Sequence, residues 1–111
     1  MKIVKDTIEI AELQKMLEGG FFVDVIKAVV DLEKGIMAVD AELHADLREL
    51  LMETEHSAHQ NIWGINVYPE KTGEDFIEFD SMVNIKPGFG NRTRGVDSPE
   101  IREKIRSIVK K

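Results

Sequence analysis

The sequence predicts an α+β domain: a mostly antiparallel sheet of about four strands, built from two β-hairpins, with three helices packed on its apolar face. Three observations predict it. Two pairs of segments are rich in β-branched and aromatic residues and alternate apolar with polar positions across short turn-rich loops. Three other segments space their apolar residues at helical intervals. The elements follow in the order helix, hairpin, helix, hairpin, helix, which segregates helices onto a sheet.

Ile3 and Val4 can form a short first strand. Asp6 or Thr7 then offers an oxygen to cap a helix carrying Ile10, Leu13, Met16 and Leu17, and Gly19-Gly20 supplies a stop. Phe21 to Leu32 reads as a strand paired with Ile36 to Leu43 across a three-residue loop, Glu33-Lys34-Gly35. That register sets Leu32 against Ile36, Val30 against Ala38 and Ala28 against Asp40. One face then holds Ile26, Ala28, Val30, Leu32, Ile36 and Ala38, the better core candidate. The other holds Lys27, Val29, Asp31, Met37 and Val39, apolar enough to be partly covered.

Ala45 to Glu55 is a second helix, striped by Leu47, Leu50 and Leu51, with His44 or Asp46 near its cap. A second hairpin joins Ile62–Tyr68 to Phe76–Ile85 across Pro69–Asp75. Trp63, Ile65 and Val67 share its apolar face with Ile77, Phe79, Ser81 and Val83. Asn66 and Tyr68 share the wet face with Glu78, Asp80, Met82 and Asn84. Three glycines between Pro87 and Gly95 break the pattern. Ser98 caps the last helix, Pro99 suits its first position, and Ile101, Ile105, Ile108 and Val109 form its apolar stripe. Arg106, Lys110 and Lys111 near its end suit the helix dipole.

A chain of 111 residues supports one domain, 1–111, with one core. It has 42% hydrophobic and 32% charged residues, which excludes disorder. No apolar run reaches the ~18–20 residues of a membrane span, and no signal peptide follows Met1. Cysteine is absent, which removes disulfides, thiolate metal sites and Cys nucleophiles. A cytoplasmic, membrane-free protein is expected.

The net charge of −6 is uneven. Residues 1–85 carry 7 Lys/Arg and 18 Asp/Glu, and residues 86–111 carry 8 and 3, so the balances are −11 and +5. The basic end either docks on its own acidic body or contacts an anion. The acidic remainder would repel a long polyanion, so nucleic acid is not expected as a partner.

Two constellations can carry chemistry. Asp40 and Glu42 end one strand, and Glu78 and Asp80 lie on the wet face of another. Carboxylate pairs of this kind hold Mg²⁺ or Mn²⁺ or divide acid and base roles, but only if strand order brings them together. The alternative is a solvated sheet face. The second constellation is Asn91-Arg92-Thr93-Arg94-Gly95, leading into the last helix. Backbone amides and an arginine fork there suit a phosphate or carboxylate, although the loop has neither Walker nor Rossmann spacing. The alternative is that Arg92 or Arg94 folds back onto Asp80, Glu78 or Asp40. His44, His56 and His59 are weaker metal candidates. Trp63 reads as a core anchor, and Tyr68 beside Asn66 as the better ligand contact.

The segments Lys27–Asp31, Met37–His44, Trp63–Asn66, Asp75–Met82 and Gly90–Gly95 together resemble a small family of uncharacterised prokaryotic domains of about this length. The resemblance covers nearly the whole chain. It implies a complete single domain in a microbial cytoplasm and carries over no catalytic residue, substrate or cofactor.

The residues thus point to a small binding domain for an anionic small molecule or a protein partner. Its contacts would be Asn66, Tyr68, Glu78, Asp80, Asn91, Arg92 and Arg94. The alternative is a small metal-dependent enzyme acting on a phosphate-containing substrate, with Asp40, Glu42 and Asp80 as ligands. No resident cofactor is required by the first reading. Homodimerisation through a strand edge or the Met37/Val39 face is a further possibility.

Overall fold

A computed structural model describes residues 1–109; Lys110 and Lys111 lie outside the described residues. The elements are β1 (Lys2–Val4), α1 (Ile10–Glu18), β2 (Ile26–Asp31), β3 (Ile36–Val39), α2 (His44–Thr54), β4 (Ile62–Val67), β5 (Ile77–Glu78) and α3 (Pro99–Val109). The five strands form one sheet in the order β1-β3-β2-β4-β5, antiparallel throughout. The α+β class and the three helices stand. The sheet has five strands rather than about four, because the short first strand joins it along β3.

The helices do not share one face. α1 and α3 cover one side, where Leu13, Ile105 and Val109 pack on Ala28, Val30, Met37, Val39, Trp63, Ile65 and Val67. α2 covers the other, where Leu47 and Leu51 pack on Val29, Ile36, Ala38 and Ile62. The physical reason lies in β2 and β3. Val29, Val30, Met37, Ala38 and Val39 are all buried, so these strands are apolar on both sides and need two covers. Leu47 and Leu51 are each 0% exposed, and burial of that kind stabilises by roughly 1.5–3 kcal/mol per side chain.

The first hairpin differs from expectation by one residue. Asp31 pairs with Ile36, Val30 with Met37, Val29 with Ala38 and Ala28 with Val39. The loop has four residues, Leu32 to Gly35, because Asp31 organises it. Its Oδ1 accepts from the amides of Glu33 and Lys34 at 2.9 and 3.0 Å. The chain then closes with the Gly35 amide donating to the Asp31 carbonyl at 2.9 Å, Gly35 having φ +66°. The slip moves Met37 and Val39 to the side of Ala28 and Val30, and Ile36 and Ala38 to the side of Val29. It also buries the Met37/Val39 face that a dimer was expected to use. Asp31→Ala should lower stability by about 1–2 kcal/mol, the worth of two such bonds, while Asp31→Asn, which keeps the acceptor, should recover most of it. Urea unfolding of both variants checks this.

β3 stops at Val39 because Asp40 turns left-handed, with φ +72°. α1 starts at Ile10 with Glu9 at its N-cap, later than the Asp6 or Thr7 expected, and Gly19 ends it at φ −115°, outside the left-handed region. α2 starts at His44, with Leu43 rather than His44 or Asp46 at the cap. At α3, Ser98 Oγ accepts from the Ile101 amide at 3.3 Å and Pro99 is the first helical residue, as expected. No helix among the described residues is long and apolar enough to cross a membrane.

The largest departure follows β5. The strand expected to run to Ile85 ends at Glu78, and Met82–Asn84 form a 3-10 turn. Gly64 decides the path. A Cβ there would lie 2.5 Å from Ser81 Oγ and 2.8 Å from Val83 Cγ2. Ser81 and Val83 therefore close over the bare backbone of β4. Val83 joins the α2-side core, not the Trp63 side as expected, and Asn84 is buried rather than wet.

Candidate functional site

Five of the expected contact residues meet at one end of the sheet. Asn66 pairs with Glu78 across β4 and β5, and its Nδ2 donates to Glu78 Oε1 at 2.8 Å and to the Asp80 carbonyl at 3.2 Å. Tyr68 Oη donates to the same Glu78 oxygen at 3.2 Å. Arg94 Nε lies 2.8 Å from Asp80 Oδ1. Burial, with Glu78 close by, pushes the Tyr68 hydroxyl above its usual pKa. Lys71 Nζ sits 4.5 Å from the Tyr68 ring centroid. These groups satisfy one another, apart from Asn66 Oδ1, which is buried with no partner.

His44, at the start of α2, reaches the Ile65 carbonyl through Nε2 at 2.8 Å. Burial lowers its pKa, so the imidazole is neutral and donates. Sequence spacing gave no hint of this contact, which depends on α2 crossing the face of β4.

Asn91 is the anchor of the basic loop. Its Nδ2 donates to the carbonyls of Asn84 at 2.7 Å, Gly95 at 2.8 Å and Thr93 at 3.1 Å. Its Oδ1 accepts from the Asp97 amide at 2.9 Å. The backbones of Lys86 and Asn91 also exchange a pair of hydrogen bonds, 2.7 and 3.2 Å. The turn between them therefore has a fixed shape. It presents Phe89, 66% exposed, at its tip. Arg92 is exposed beyond it and makes no ion pair among the described residues. The signal for Phe89 was legible in principle: an aromatic residue between Gly88 and Gly90 has no neighbouring side chains to shield it.

Lys86 was not anticipated. It is 3% exposed, donates from Nζ to the Val83 carbonyl at 2.6 Å, and lies 4.9 Å from the Trp63 ring centroid. Burial, with Arg48 nearby, lowers its pKa to about 8. Trp63 is the core anchor expected, although its Nε1 is buried without a partner.

The acid pairs do not converge. The Asp40 amide donates to the Lys27 carbonyl on β2, Lys27 pairs with Asn66 on β4, and Asn66 pairs with Glu78 on β5. Asp40 and Glu78 are therefore three strand spacings apart, roughly 14 Å in backbone terms. Glu42 is exposed beyond Asp40. Among the described residues no group of three His, Cys, Asp or Glu side chains is arranged to hold a metal ion.

Residues 2–111 match the model of a family described as proteins of unknown function, DUF5674. The chain belongs to the DUF5674 family. Membership spans the sheet, all three helices and the basic loop, so an uncharacterised domain family is what the sequence resemblance amounts to. No curated protein and no solved structure matches the chain.

Proposed function

We propose that this DUF5674 chain is a small protein-interaction domain of a prokaryotic cytoplasm, and that its 86–95 loop contacts an acidic surface on its partner. The observation that carries this is a loop held by its own hydrogen bonds, whose tip holds an exposed Phe89 and whose shoulder holds an exposed Arg92 with no ion pair among the described residues. Aromatic and arginine side chains dominate the energetics of protein interfaces, and pre-ordering a loop removes part of the entropic cost of binding. The loop carries Lys86, Arg92 and Arg94 and no acid, on a chain whose net charge is −6. That polarity selects an acidic partner and speeds its encounter.

A protein suits this loop better than a small anion. Small ligands need convergent donors in a concave site. The depression beside the loop, about 270 Å³, is lined by Trp63, Phe89, Asn91 and Asp97 rather than by either arginine.

The test is an NMR titration of the chain with a glutamate-rich peptide and, separately, inorganic phosphate. The peptide is expected to shift the amides of residues 86–95, and Phe89→Ala/Arg92→Ala to abolish the shifts. Melting should hardly change in that variant. Arg94→Ala should cost less than about 1 kcal/mol, because its pair with Asp80 is half exposed. Equal shifts with phosphate would replace the protein partner by a small-anion site. Absence of shifts with either ligand would overturn the proposal.

A further inference from the structure

Three basic side chains meet at one rim of the α2-side core without a counter-ion. Leu47 and Leu51 of α2, Ile62 at the start of β4 and Val83 pack in one cluster. Arg48 follows Leu47, and His59 opens the 3-10 turn that leads into Ile62. Lys86 Nζ is bonded to the Val83 carbonyl at 2.6 Å. Packing of the apolar residues thus gathers three bases from three segments. Their charges act on one another. Burial first, then Lys86 and Arg48, hold the His59 pKa below its usual value, and Arg48 adds to the effect of burial on Lys86.

No acid of the chain answers them. Arg48, His59 and Lys86 make no ion pair among the described residues. The positions one turn from Arg48 along α2 are His44, Ala45, Leu51 and Met52, none of them acidic. Glu49 and Asp46 lie one and two positions from Arg48, and helical residues so spaced do not face each other. Residues 82–90, around Lys86, contain no acid, and Glu55, four residues before His59, is held by Lys5 at 2.9 Å. Lys86 is buried and the other two are half-buried, so water screens their repulsion only in part. A buried charge is normally paired, and like charges beside it add to its cost.

An anion is what the arrangement lacks. Arginine offers a planar fork, lysine a point charge, and imidazole a second donor once an anion favours its protonation. Three such groups match a doubly charged oxyanion better than a single carboxylate. We infer that Arg48, His59 and Lys86 form a binding site for a phosphate group, either free phosphate or a small phosphomonoester. The 86–95 loop lends the site only Lys86, at its base, so the site stands apart from Phe89 and Arg92.

The test is an NMR titration of the full chain with inorganic phosphate and with glycerol phosphate, against chloride and acetate at matched ionic strength. Either phosphate is expected to give saturable shifts at the Arg48 Nε–H, the His59 ring and the Lys86 amide. Tighter binding of one of the two tells the free ion from the monoester. Arg48→Ala and Lys86→Met should each weaken binding at least about tenfold, the worth of one charge-assisted hydrogen bond. Arg48→Ala places a strong helix former on a half-buried position of α2, so its fold is retained. Phe89→Ala/Arg92→Ala should leave phosphate binding unchanged, which separates this site from an anion seated on the loop and from the loop's acidic partner. Absence of saturable shifts, equal shifts with chloride or acetate, full binding in Arg48→Ala, or loss of binding in Phe89→Ala/Arg92→Ala would overturn the inference.

Discussion

Asn84→Ala is expected to cost about 3 kcal/mol, a large part of the 5–15 kcal/mol that holds a domain together. Asn84 is 0% exposed. Its Oδ1 accepts from the Gly64 amide at 2.7 Å, and its Nδ2 donates to the Gly64 carbonyl and the Arg94 carbonyl, both at 2.9 Å. β5 ends at Glu78, so on the side away from β2 no strand pairs with β4 beside Gly64. One side-chain amide takes the strand's place, with a donor and an acceptor in the same positions. Alanine would leave the Gly64 amide and carbonyl unpaired, each costing about 1–3 kcal/mol, and would take from the Arg94 carbonyl one of its two donors, the other being the Ser81 amide at 2.9 Å. Aspartate should be no better: it keeps the acceptor but sets a carboxylate against two carbonyl oxygens. Denaturant unfolding gives the size of the effect, and hydrogen exchange at the Gly64 amide shows whether it is local. A loss below about 1 kcal/mol, with Gly64 still protected, would mean that water replaces the amide and that Asn84 is not a strand substitute.

The same residues show what could be read from the chain alone. Period-two alternation placed Trp63, Ile65 and Val67 on one side of β4, and Asn66 with Glu78 on the other, because side-chain direction along a strand depends only on position. Ser98-Pro99 marked the start of α3 because capping is a local event. The first hairpin slipped by one residue because an aspartate at the strand end recruited two amides, and loop length follows that choice rather than the glycine alone. Residues 79–84 kept an alternating pattern yet left the sheet. Their path depends on the missing side chain of Gly64, a contact between residues seventeen or more apart in sequence. Five of the seven candidate contacts, Asn66, Tyr68, Glu78, Asp80 and Arg94, lie together, and the Arg94–Asp80 pair is the internal fold-back that was the alternative to an anion contact. How they divide their bonds was not legible. Asn91 reads as a ligand contact in sequence, but in the fold its amide spans the loop from Asn84 to Asp97. An apolar depression lined by Ile8, Ile10, Leu13, Phe76 and Val109 was invisible because three distant segments form it.

Stability should rise with pH between about 8 and 10, against the usual decline of a protein in alkali, and Lys86 should be the cause. Its pKa falls from 10.5 in the open chain to about 8 in the fold. Between those values the unfolded chain binds a proton that the native chain does not, so raising the pH favours the native state. Below about pH 8 both states are charged and the burial cost is present in full, on the order of 3 kcal/mol for a shift of this size. Tyr68 works the other way. Its raised pKa means that the unfolded chain loses its phenolic proton first, so stability falls above about pH 10. His44 sets the acid side: its lowered pKa makes stability fall as pH drops below 6.5. Lys86→Met should remove the rise between pH 8 and 10 while keeping a long side chain against Trp63. At pH 7 its net effect should be small, because the hydrogen bond to Val83 and the contact with the Trp63 ring are lost along with the buried charge. The measurement is the difference in urea midpoint between the two proteins from pH 6 to pH 10. Parallel curves would mean that the Val83 carbonyl and the indole face solvate the ammonium well enough to keep its ordinary pKa. Lys86 would then hold the base of the 86–95 loop as a permanent charge.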